Sequence, residues 1–436
     1  RRELKMKDVG LEHLEQYNQL LRYVFQVTDK ELQEIGWEEK EIIRAKSPTL
    51  EQADVKGWFD GDKLISQVAV YPMKVRIFNK TYNMGGLTGV GTYPEYSNQG
   101  LMHKLLYQSL KNMKEKKQSI SFLYPYSIPY YRRKGWEIVS DKITYEIKDY
   151  QLPKNKQVSG EVERVDVESE EVKKAYNRFA YQTHGALIRD DLAWNEYWLW
   201  DSDDLMAAIY YNDKNEPDGY VLYWIKDEVF HIKDMIFINE EARTGLWNFI
   251  SAHFSMINKV IGDTYTDEPL AFLFEDADIK ESISPYFMAR IVDLEEFIKQ
   301  YPFKADTIRR EWIFKMDDPI LSWNQGNFKL VIDKNGKLLD TATVYPTEPQ
   351  NDVAGATKVI NNFIEINSKK DKSIQEKIMC LYAIYSNIEN PNFYPFLLSH
   401  FNFLIYNLTN EEYDNSKQGI QLKETCLFIL YTSIQE

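Results

Sequence analysis

Cysteine is scarce in this chain, and it has neither long apolar runs nor an excess of positive charge. Its 436 residues contain two cysteines, Cys380 and Cys426, and neither belongs to a CxxC pair or a Cys/His cluster. This scarcity argues against a disulfide framework and a zinc site, so we expect no metal. The longest apolar run near the end, residues 393–408, is interrupted by polar side chains and is too short to span a bilayer.

Negative charge dominates: Asp and Glu number 67 against 53 Lys and Arg, a formal net charge of −14. Nucleic acid and anionic membranes would be repelled, so we expect neither as a partner. A cationic substrate such as a polyamine would be attracted, although such acidity is also ordinary for cytosolic proteins. Residues 1–25 have helical apolar spacing without the continuous apolar core of a signal peptide, and a reducing cytoplasm is the expected location.

The patterns along the chain predict several domains, because 436 residues exceed one compact core. Residues 1–150 predict the order β-β-β-α-β, with a turn at Asp60-Gly61, which favours a mixed sheet with helices on its faces. Residues 151–297 repeat the mixed pattern after a polar stretch, with a helix predicted over Ala242–Ile257 and a strand over Leu270–Phe274. The predicted fold class is therefore α+β.

Residues 298–436 differ from both earlier parts. Asn335-Gly336 predicts a two-residue hairpin turn between strands. After about residue 350 the spacing of apolar residues favours a mainly helical region.

A strand-to-helix junction before residue 102 has the features of a phosphate site. Ser97 to Met102 form the predicted turn and helix start, with Gly100 at the turn. Backbone N–H groups at a helix start bind phosphates, and glycine permits close approach. Upstream, Gly89 and Gly91 beside and within the strand Val90-Gly91-Thr92 indicate a bulge or a close backbone approach. Such turns also favour Gly and Asn for structural reasons, so the junction alone leaves both interpretations open.

An aromatic, cationic loop follows the junction. Residues 124–131 contain four tyrosines, and Arg132, Arg133 and Lys134 precede Gly135-Trp136. Aromatic crowding is commonly core packing, but a phenol beside cations is also a suitable acid for a departing thiolate. Phosphate capture and a proton donor together predict an acyl-coenzyme A site. No glycine turn precedes the helix predicted at Ala242, where acidic residues would repel a pyrophosphate, so we expect the second part to lack this site.

These segments resemble motifs of the GCN5-related N-acetyltransferases (GNAT). Val90-x-Thr92-x-Pro94-Glu95-x3-Gln99-Gly100-Leu101 resembles their coenzyme A-binding motif, and Tyr131-Arg132-Arg133-Lys134-Gly135-Trp136 resembles their Tyr-x3-Gly-aromatic acid motif. Segments 121–127, 185–191 and 285–293 are similar to the Eis-like (enhanced intracellular survival) members. The likeness covers roughly residues 1–345.

The resemblance implies two tandem GNAT modules, of which only the first binds acetyl-CoA, and a C-terminal region resembling sterol carrier proteins. The implied domains are residues 1–150, 151–297 and 298–436, the last similar to sterol carrier proteins at least to about residue 345, with its tail unassigned. The implied reaction is acetyl transfer to a primary amine of an aminoglycoside, a polyamine or a lysine-like substrate. The implied assembly is a homo-hexamer.

Residue roles follow from the matched motif positions. Tyr131 would be the general acid during direct transfer in a ternary complex. The residues that would contact acetyl-CoA are Val90, Gly91, Thr92, Asn98, Gln99, Gly100, Leu101, Met102, His103, Tyr126 and Ser127.

Two features depart from the family. Ser97, Asn98 and Gln99 stand where members usually have Arg, so weaker attraction for the cofactor is expected while the backbone donors remain. The ending, residues 428–436, does not match the acidic-aromatic terminus whose carboxylate is the implied base, so Glu436 is not assigned. A scaffold that binds ligand without turnover and a lipid carrier stay open as alternatives to an enzyme.

Overall fold

The structure is a computed structural model that describes residues 3–34, 39–198, 205–265, 270–306 and 308–344. The chain divides into two compact units, Arg1–Leu294 and Glu295–Glu436. The first unit contains two mixed β-sheets with helices packed on them, which confirms the predicted α+β class.

We call the part up to residue 138 the first module. Its elements are β1 (Leu4–Asp8), α1 (Leu14–Val24), α2 (Asp29–Glu34), α3 (Glu39–Gln52), β2 (Asp54–Asp60), β3 (Lys63–Ile77), β4 (Lys80–Thr92), α4 (Leu101–Glu115), β5 (Ile120–Leu123), α5 (Ile128–Arg132) and β6 (Glu137–Ile138).

We call the part from residue 141 to 291 the second module. Its elements are β7 (Asp141–Lys148), β8 (Glu161–Val165), α6 (Glu170–Gln182), β9 (Leu187–Ile188), α7 (Asp191–Trp198), β10 (Met206–Tyr211), β11 (Pro217–Lys226), β12 (Val229–Phe237), α8 (Glu240–Ser251), β13 (Lys259–Thr264), β14 (Lys280–Pro285) and β15 (Met288–Ile291).

The second module supplies a strand to the sheet of the first module. The first sheet has the order β1-β2-β3-β4-β5-β15-β6, so β15 from the end of the second module lies between β5 and β6. The second sheet has the order β14-β7-β13-β12-β11-β10-β8, so β7 lies between β13 and β14. Hydrogen-bonded strand pairs therefore cross the predicted boundary at residue 150. β7 precedes it and pairs with β13 and β14, whereas β15 follows it and pairs with β5 and β6.

Apolar periodicity explains why α4 forms and which face it buries. Leu101, Leu105, Leu106, Leu110 and Met113 are all buried and recur at helical spacing. Fully burying each such side chain contributes roughly 1.5–3 kcal/mol. The stripe holds α4 against β2, β3 and β4, which places the N-terminus of the helix just beyond the end of β4.

Several sequence predictions need correction. The predicted strand at Leu270–Phe274 is wrong, because Leu270–Leu273 is a 3-10 helix. Leu270 and Phe274 are buried while Phe272 is 92% exposed, a spacing that suits a helical turn. Residues before Gly10 form β1 rather than the start of the predicted helix, and α8 ends at Ser251 instead of Ile257.

The second unit begins with α9 (Leu294–Gln300) at its boundary, followed by β16 (Arg310–Met316), β17 (Gly326–Ile332) and β18 (Leu338–Val344). These strands form an antiparallel sheet in the order β16-β17-β18. The predicted hairpin at Asn335-Gly336 forms, but Ile332 pairs with Leu338 and only Gly336 of this pair has a positive φ, so the connection is longer than two residues. The helices predicted after residue 350 lie outside the described residues.

Candidate active site

Two parallel strands of the first sheet separate and create an opening. β4 and β5 pair only at Met84–Ile120, Gly85–Ser121 and Gly86–Phe122, whereas β4 continues to Thr92. From Leu87 onward, the edge of β4 that faces β5 is therefore no longer paired with β5. We call this gap the β4–β5 opening. Its released edge presents backbone N–H and C=O groups that an extended amide-containing ligand can pair with.

A bulge lies in β4 along this opening. Gln67 pairs with Gly91 and Ala69 with Thr88, so the register with β3 shifts across Gly89 and Val90. Gly89 has φ +62°, a conformation that glycine adopts without strain. A Cβ at Gly89 would also lie 2.8 Å from the Tyr17 hydroxyl. Of the two features that the strand glycines predicted, the bulge is found here.

The N-terminus of α4 meets the end of this strand. Asn98 and Gly100 both have positive φ, +60° and +73°, and residues 97–100 are exposed. Gly100 is the N-cap, no side chain caps the helix, and the first turn contains no acidic residue. A Cβ added at Gly100 would meet no other atom within 4 Å. The early N–H groups of Leu101, Met102 and His103 are therefore available to an anion at the positive end of the helix dipole.

Tyr131 lies on α5, in the loop that follows β5. Its side chain is buried, with the rings of Tyr130 and Trp136 at 5.2 and 6.0 Å in edge contacts. Burial, and then the neighbouring Tyr130, raise the pKa of Tyr131 to about 12. The phenol therefore keeps its proton at neutral pH, which a general acid requires.

The segment that follows Tyr131 and the start of α4 are joined by a side-chain contact that the sequence did not reveal. Lys134 Nζ lies 2.9 Å from Nδ1 of His103 in the first turn of α4. Burial and the nearby Lys134 lower the pKa of His103, and burial with Arg133 lowers the pKa of Lys134. A cation thus stands beside the open helix start, although the arginines expected near residues 97–99 are absent.

Strand β15 of the second module supports the segment that carries Tyr131 and Lys134. Arg290 is buried, donates from Nη1 to the carbonyl oxygen of Lys134, and lies 5.1 Å from the ring centre of Trp136. Arg132 forms two hydrogen bonds with Glu137, at 2.6 and 2.8 Å. The positions of Tyr131 and Lys134 therefore depend on a strand that the second module supplies.

Two predicted contact residues lie at the outer side of the loop. Tyr126 is 82% exposed, and Ser127 is the N-cap residue of α5 without a capping side-chain bond. Neighbouring Tyr124 is exposed and contacts the rings of Tyr286 and Phe287 from the second module. These side chains form the surface next to the β4–β5 opening, so a ligand in it would meet exposed aromatic area.

The second module has the same separated strands with different side chains. β12 and β13 pair only through Val229–Lys259 to His231–Ile261, and β12 continues to Phe237. The register shift beside β11 falls at Lys233, next to Asp234. Asp234 Oδ2 accepts hydrogen bonds from the hydroxyls of Tyr220 at 2.7 Å and Tyr197 at 3.2 Å.

The helix after this strand also differs from α4. Asn239 caps α8 by accepting a hydrogen bond from Ala242 N at 2.8 Å, and Glu240 and Glu241 occupy the first turn. Acidic side chains there compete with an anionic ligand for the helix dipole. The start of α8 therefore differs from the acid-free start of α4, which no side chain caps.

Metal sites and membrane-spanning helices were sought in the described residues. No group of three or more His, Cys, Asp or Glu side chains there could hold a metal ion. None of the helices in that part of the chain is long and apolar enough to cross a membrane.

Comparison with known families assigns both modules and the start of the second unit. Residues 5–139 and 185–291 each match a family described as acetyltransferase (GNAT) domain, and residues 294–360 match a sterol carrier protein domain. The predicted order of two tandem GNAT modules and a sterol-carrier-like region is confirmed. A comparison with curated proteins gave no match.

Solved structures of similar architecture cover most of the chain. A protein of unknown function from Enterococcus faecalis, described as a "probable N-acyltransferase", is 27% identical over 79% of this chain and 86% of its own, with a TM-score of 0.71. A GCN5-related N-acetyltransferase from Anabaena variabilis is 23% identical over 79% and 87%, with a TM-score of 0.68. Eis1 from Mycobacterium abscessus is 18% identical over 79% and 86%, with a TM-score of 0.63. The last two identities show a shared fold alone.

Proposed function

This chain is an acyltransferase with two GNAT domains and a sterol carrier protein domain, and we propose that its first module transfers acetyl from acetyl-CoA to a primary amine. The observation behind this proposal is the combination of the β4–β5 opening with the uncapped, acid-free start of α4. The β4–β5 opening offers strand-like pairing, and the start of α4 offers anion binding. The amide-containing arm of acetyl-CoA suits the opening, and its pyrophosphate suits the helix start.

The residues have separate roles in this proposal. The backbone at Val90, Gly91 and Thr92 pairs with the pantetheine arm, and Asn98 to His103 bind the pyrophosphate. Tyr126 and Ser127 lie near the far end of the cofactor. Tyr131 donates its proton to the departing thiolate, and the raised pKa of Tyr131 keeps that proton in place at neutral pH. Acetyl-CoA supplies the activated acetyl group.

The proposed acceptors are cationic amines: polyamines, aminoglycosides or lysine-like groups. The formal net charge of −14 attracts cations to the protein. The same proposal includes several classes of acceptor amine, as in Eis-like proteins, a cytoplasmic location and a homo-hexameric assembly. The sequence resemblance supports these three parts. Native mass measurement tests the assembly directly.

A titration and a turnover assay test the function. We expect isothermal titration to show acetyl-CoA binding, and a thiol-release assay to show turnover with at least one of spermidine, kanamycin and Nα-acetyl-lysine. Binding without thiol release from any of these amines would contradict the enzyme and favour a ligand-binding scaffold. Tyr131→Phe is the matched variant, because it keeps the ring and removes only the hydroxyl.

A second function is favoured by the match of residues 294–360 to a sterol carrier protein domain. We propose that this region binds an apolar ligand independently of acetyl transfer. Lipid extraction of the purified protein followed by mass spectrometry tests it, and the absence of bound lipid together with no uptake of a fluorescent sterol would contradict it.

A further inference from the structure

Arg290 on β15 is a buried arginine whose contacts converge on a short part of the first module. We call residues 131–136 the acid segment, because they begin at the proposed general acid. Arg290 is 4% exposed, and its Nη1 donates a hydrogen bond to the carbonyl oxygen of Lys134. The guanidinium also lies 5.1 Å from the ring centre of Trp136, which is fully buried. One side chain of the second module therefore contacts two residues of the acid segment.

The two residues that Arg290 contacts also hold the backbone of Tyr131. The N–H groups of Lys134 and Trp136 both donate to the carbonyl oxygen of Tyr131, at 2.8 and 3.1 Å. The rings of Tyr131 and Trp136 are 6.0 Å apart in an edge contact. A shift of Lys134 or Trp136 would therefore move Tyr131 through its carbonyl group and, in the case of Trp136, through its ring as well.

Lys134 connects the acid segment to the start of α4 at the same time. Its Nζ lies 2.9 Å from Nδ1 of His103, in the helical turn where the pyrophosphate is proposed to bind. Lys134 is thus held at its carbonyl oxygen by Arg290 and at its side chain by α4. The position of Tyr131 relative to this helix start depends on both contacts.

The residues that follow Arg290 are attached to the other end of α4. Val292 N donates to the carbonyl oxygen of Ser119 at 2.8 Å. Asp293 forms an ion pair with Lys114, which lies in the last turn of α4. This ion pair joins the two modules at the end of α4 opposite to His103. It is a matched contact against which the contacts of Arg290 can be compared.

A purely structural role for Arg290 is the competing explanation. An interface that needed only cohesion would be held at least as well by an apolar side chain packed on Trp136, because burying a charge is costly. An arginine instead combines a planar face for the indole with a rigid fork of donors. The fork fixes the carbonyl group of Lys134 in direction as well as in distance. A directional contact of this kind suits the positioning of a reacting group.

We propose that Arg290 is a positioning residue for the acetyl transfer, supplied to the first module by the second. By holding Lys134 and Trp136, it fixes the Tyr131 hydroxyl where the departing thiolate takes its proton. The proposal rests on the acetyl-transfer function and adds that the rate of the first module depends on the second. Displacing a reacting group by about 1 Å can lower a rate by about 10²-fold.

A double-mutant cycle tests the proposal in the full chain, with an amine that the unchanged protein acetylates. Arg290→Met removes the donors and keeps an unbranched side chain on Trp136, and we expect kcat to fall by about 10–10²-fold. In the Tyr131→Phe background the same substitution should lower kcat by less than about twofold, because the hydroxyl that it positions is already gone. The Kd for acetyl-CoA should rise by no more than about threefold, since only the partly exposed Lys134 charge is displaced.

Arg290→Lys is the conservative variant, and it decides the test where Arg290→Met does not fold. A lysine can donate to the carbonyl oxygen of Lys134 but lacks the planar face and the fork, so kcat should fall by about three- to tenfold. This loss should again disappear in the Tyr131→Phe background.

Asp293→Asn is the control, because it weakens the other contact between the modules and leaves the acid segment as it is. It should leave kcat unchanged even where its melting temperature falls as far as that of Arg290→Lys. Equal losses of kcat with and without Tyr131→Phe would overturn the positioning role. An unchanged kcat in Arg290→Met, or in Arg290→Lys where only that variant folds, would overturn it too. No thiol release from the unchanged protein with any of the three amines would instead contradict the proposed function itself.

Discussion

The two modules share one fold and differ where a cofactor would bind. In the first module, the strand beside the opening has Gly89, Val90 and Gly91 at its bulge. In the second, the corresponding bulge has Lys233 and Asp234, and the hydroxyls of Tyr220 and Tyr197 hold the Asp234 carboxylate. One bulge consists of two glycines and a valine, and the other carries charged side chains, of which Asp234 has two tyrosine partners.

The helices that follow these strands differ in the same sense. The start of α4 has an αL glycine as its N-cap and no acidic residue. The start of α8 has an asparagine cap and two glutamates. The comparison teaches that one fold can carry different chemistry at a strand bulge and a helix start; on the proposal above, these few residues decide which module binds acetyl-CoA.

Removing the proton donor should have the largest effect. Tyr131→Phe should lower kcat by about 10²–10⁴-fold, because the thiolate then leaves without a general acid. Acetyl-CoA affinity should stay nearly unchanged, as measured by isothermal titration. Since the pKa of Tyr131 is about 12, kcat in the unchanged protein should not decline through this group below about pH 11. Unaltered turnover in Tyr131→Phe would remove this residue from the mechanism.

Giving α4 the charge of α8 should have the next largest effect. Met102→Glu with His103→Glu places two acids in the first turn, each offsetting up to about 1 kcal/mol of the attraction between a helix N-terminus and an anion. The Kd for acetyl-CoA should rise about tenfold. Met102→Gln with His103→Gln is the control of similar size and should change the Kd far less. Equal losses in both pairs would show that shape, not charge, governs this junction.

Much of the site could be predicted from local sequence. The glycine turn before α4 is set by neighbouring residues, so its position could be predicted from the local sequence, whereas the proposed role of Tyr131 rests on the motif resemblance. The contribution of β15 to the first sheet could not be predicted in this way, because β15 pairs with β5 across more than 160 residues, as Met288 does with Leu123. The alternating pattern of a strand tells which face is buried, not which sheet it joins.

Removing the cation beside α4 should have a smaller effect. Lys134→Ala should raise the KM for acetyl-CoA about threefold, because a partly exposed charge is worth about 1 kcal/mol or less. The difference should shrink as salt is added. The pKa of His103 should rise in the variant, since Lys134 is one of the two causes that lower it, and NMR titration measures this. Lys111→Ala, on the exposed face of α4, is the control. An unchanged KM at low salt would contradict this role.

The smallest effect is expected from making the second module resemble the first in charge alone. Glu240→Gln with Glu241→Gln removes both acids from the start of α8, yet titration should still show one acetyl-CoA per chain. Asn239 still accepts the hydrogen bond from Ala242, so the helix start stays capped. Asp234 still holds its two tyrosines at the bulge, so the β12 edge stays filled. A second site of similar affinity would show that the two glutamates alone silence this module. One site in the double variant, and still one after Asn239→Gly is added, would assign the difference between the modules to the strand bulge rather than to the helix.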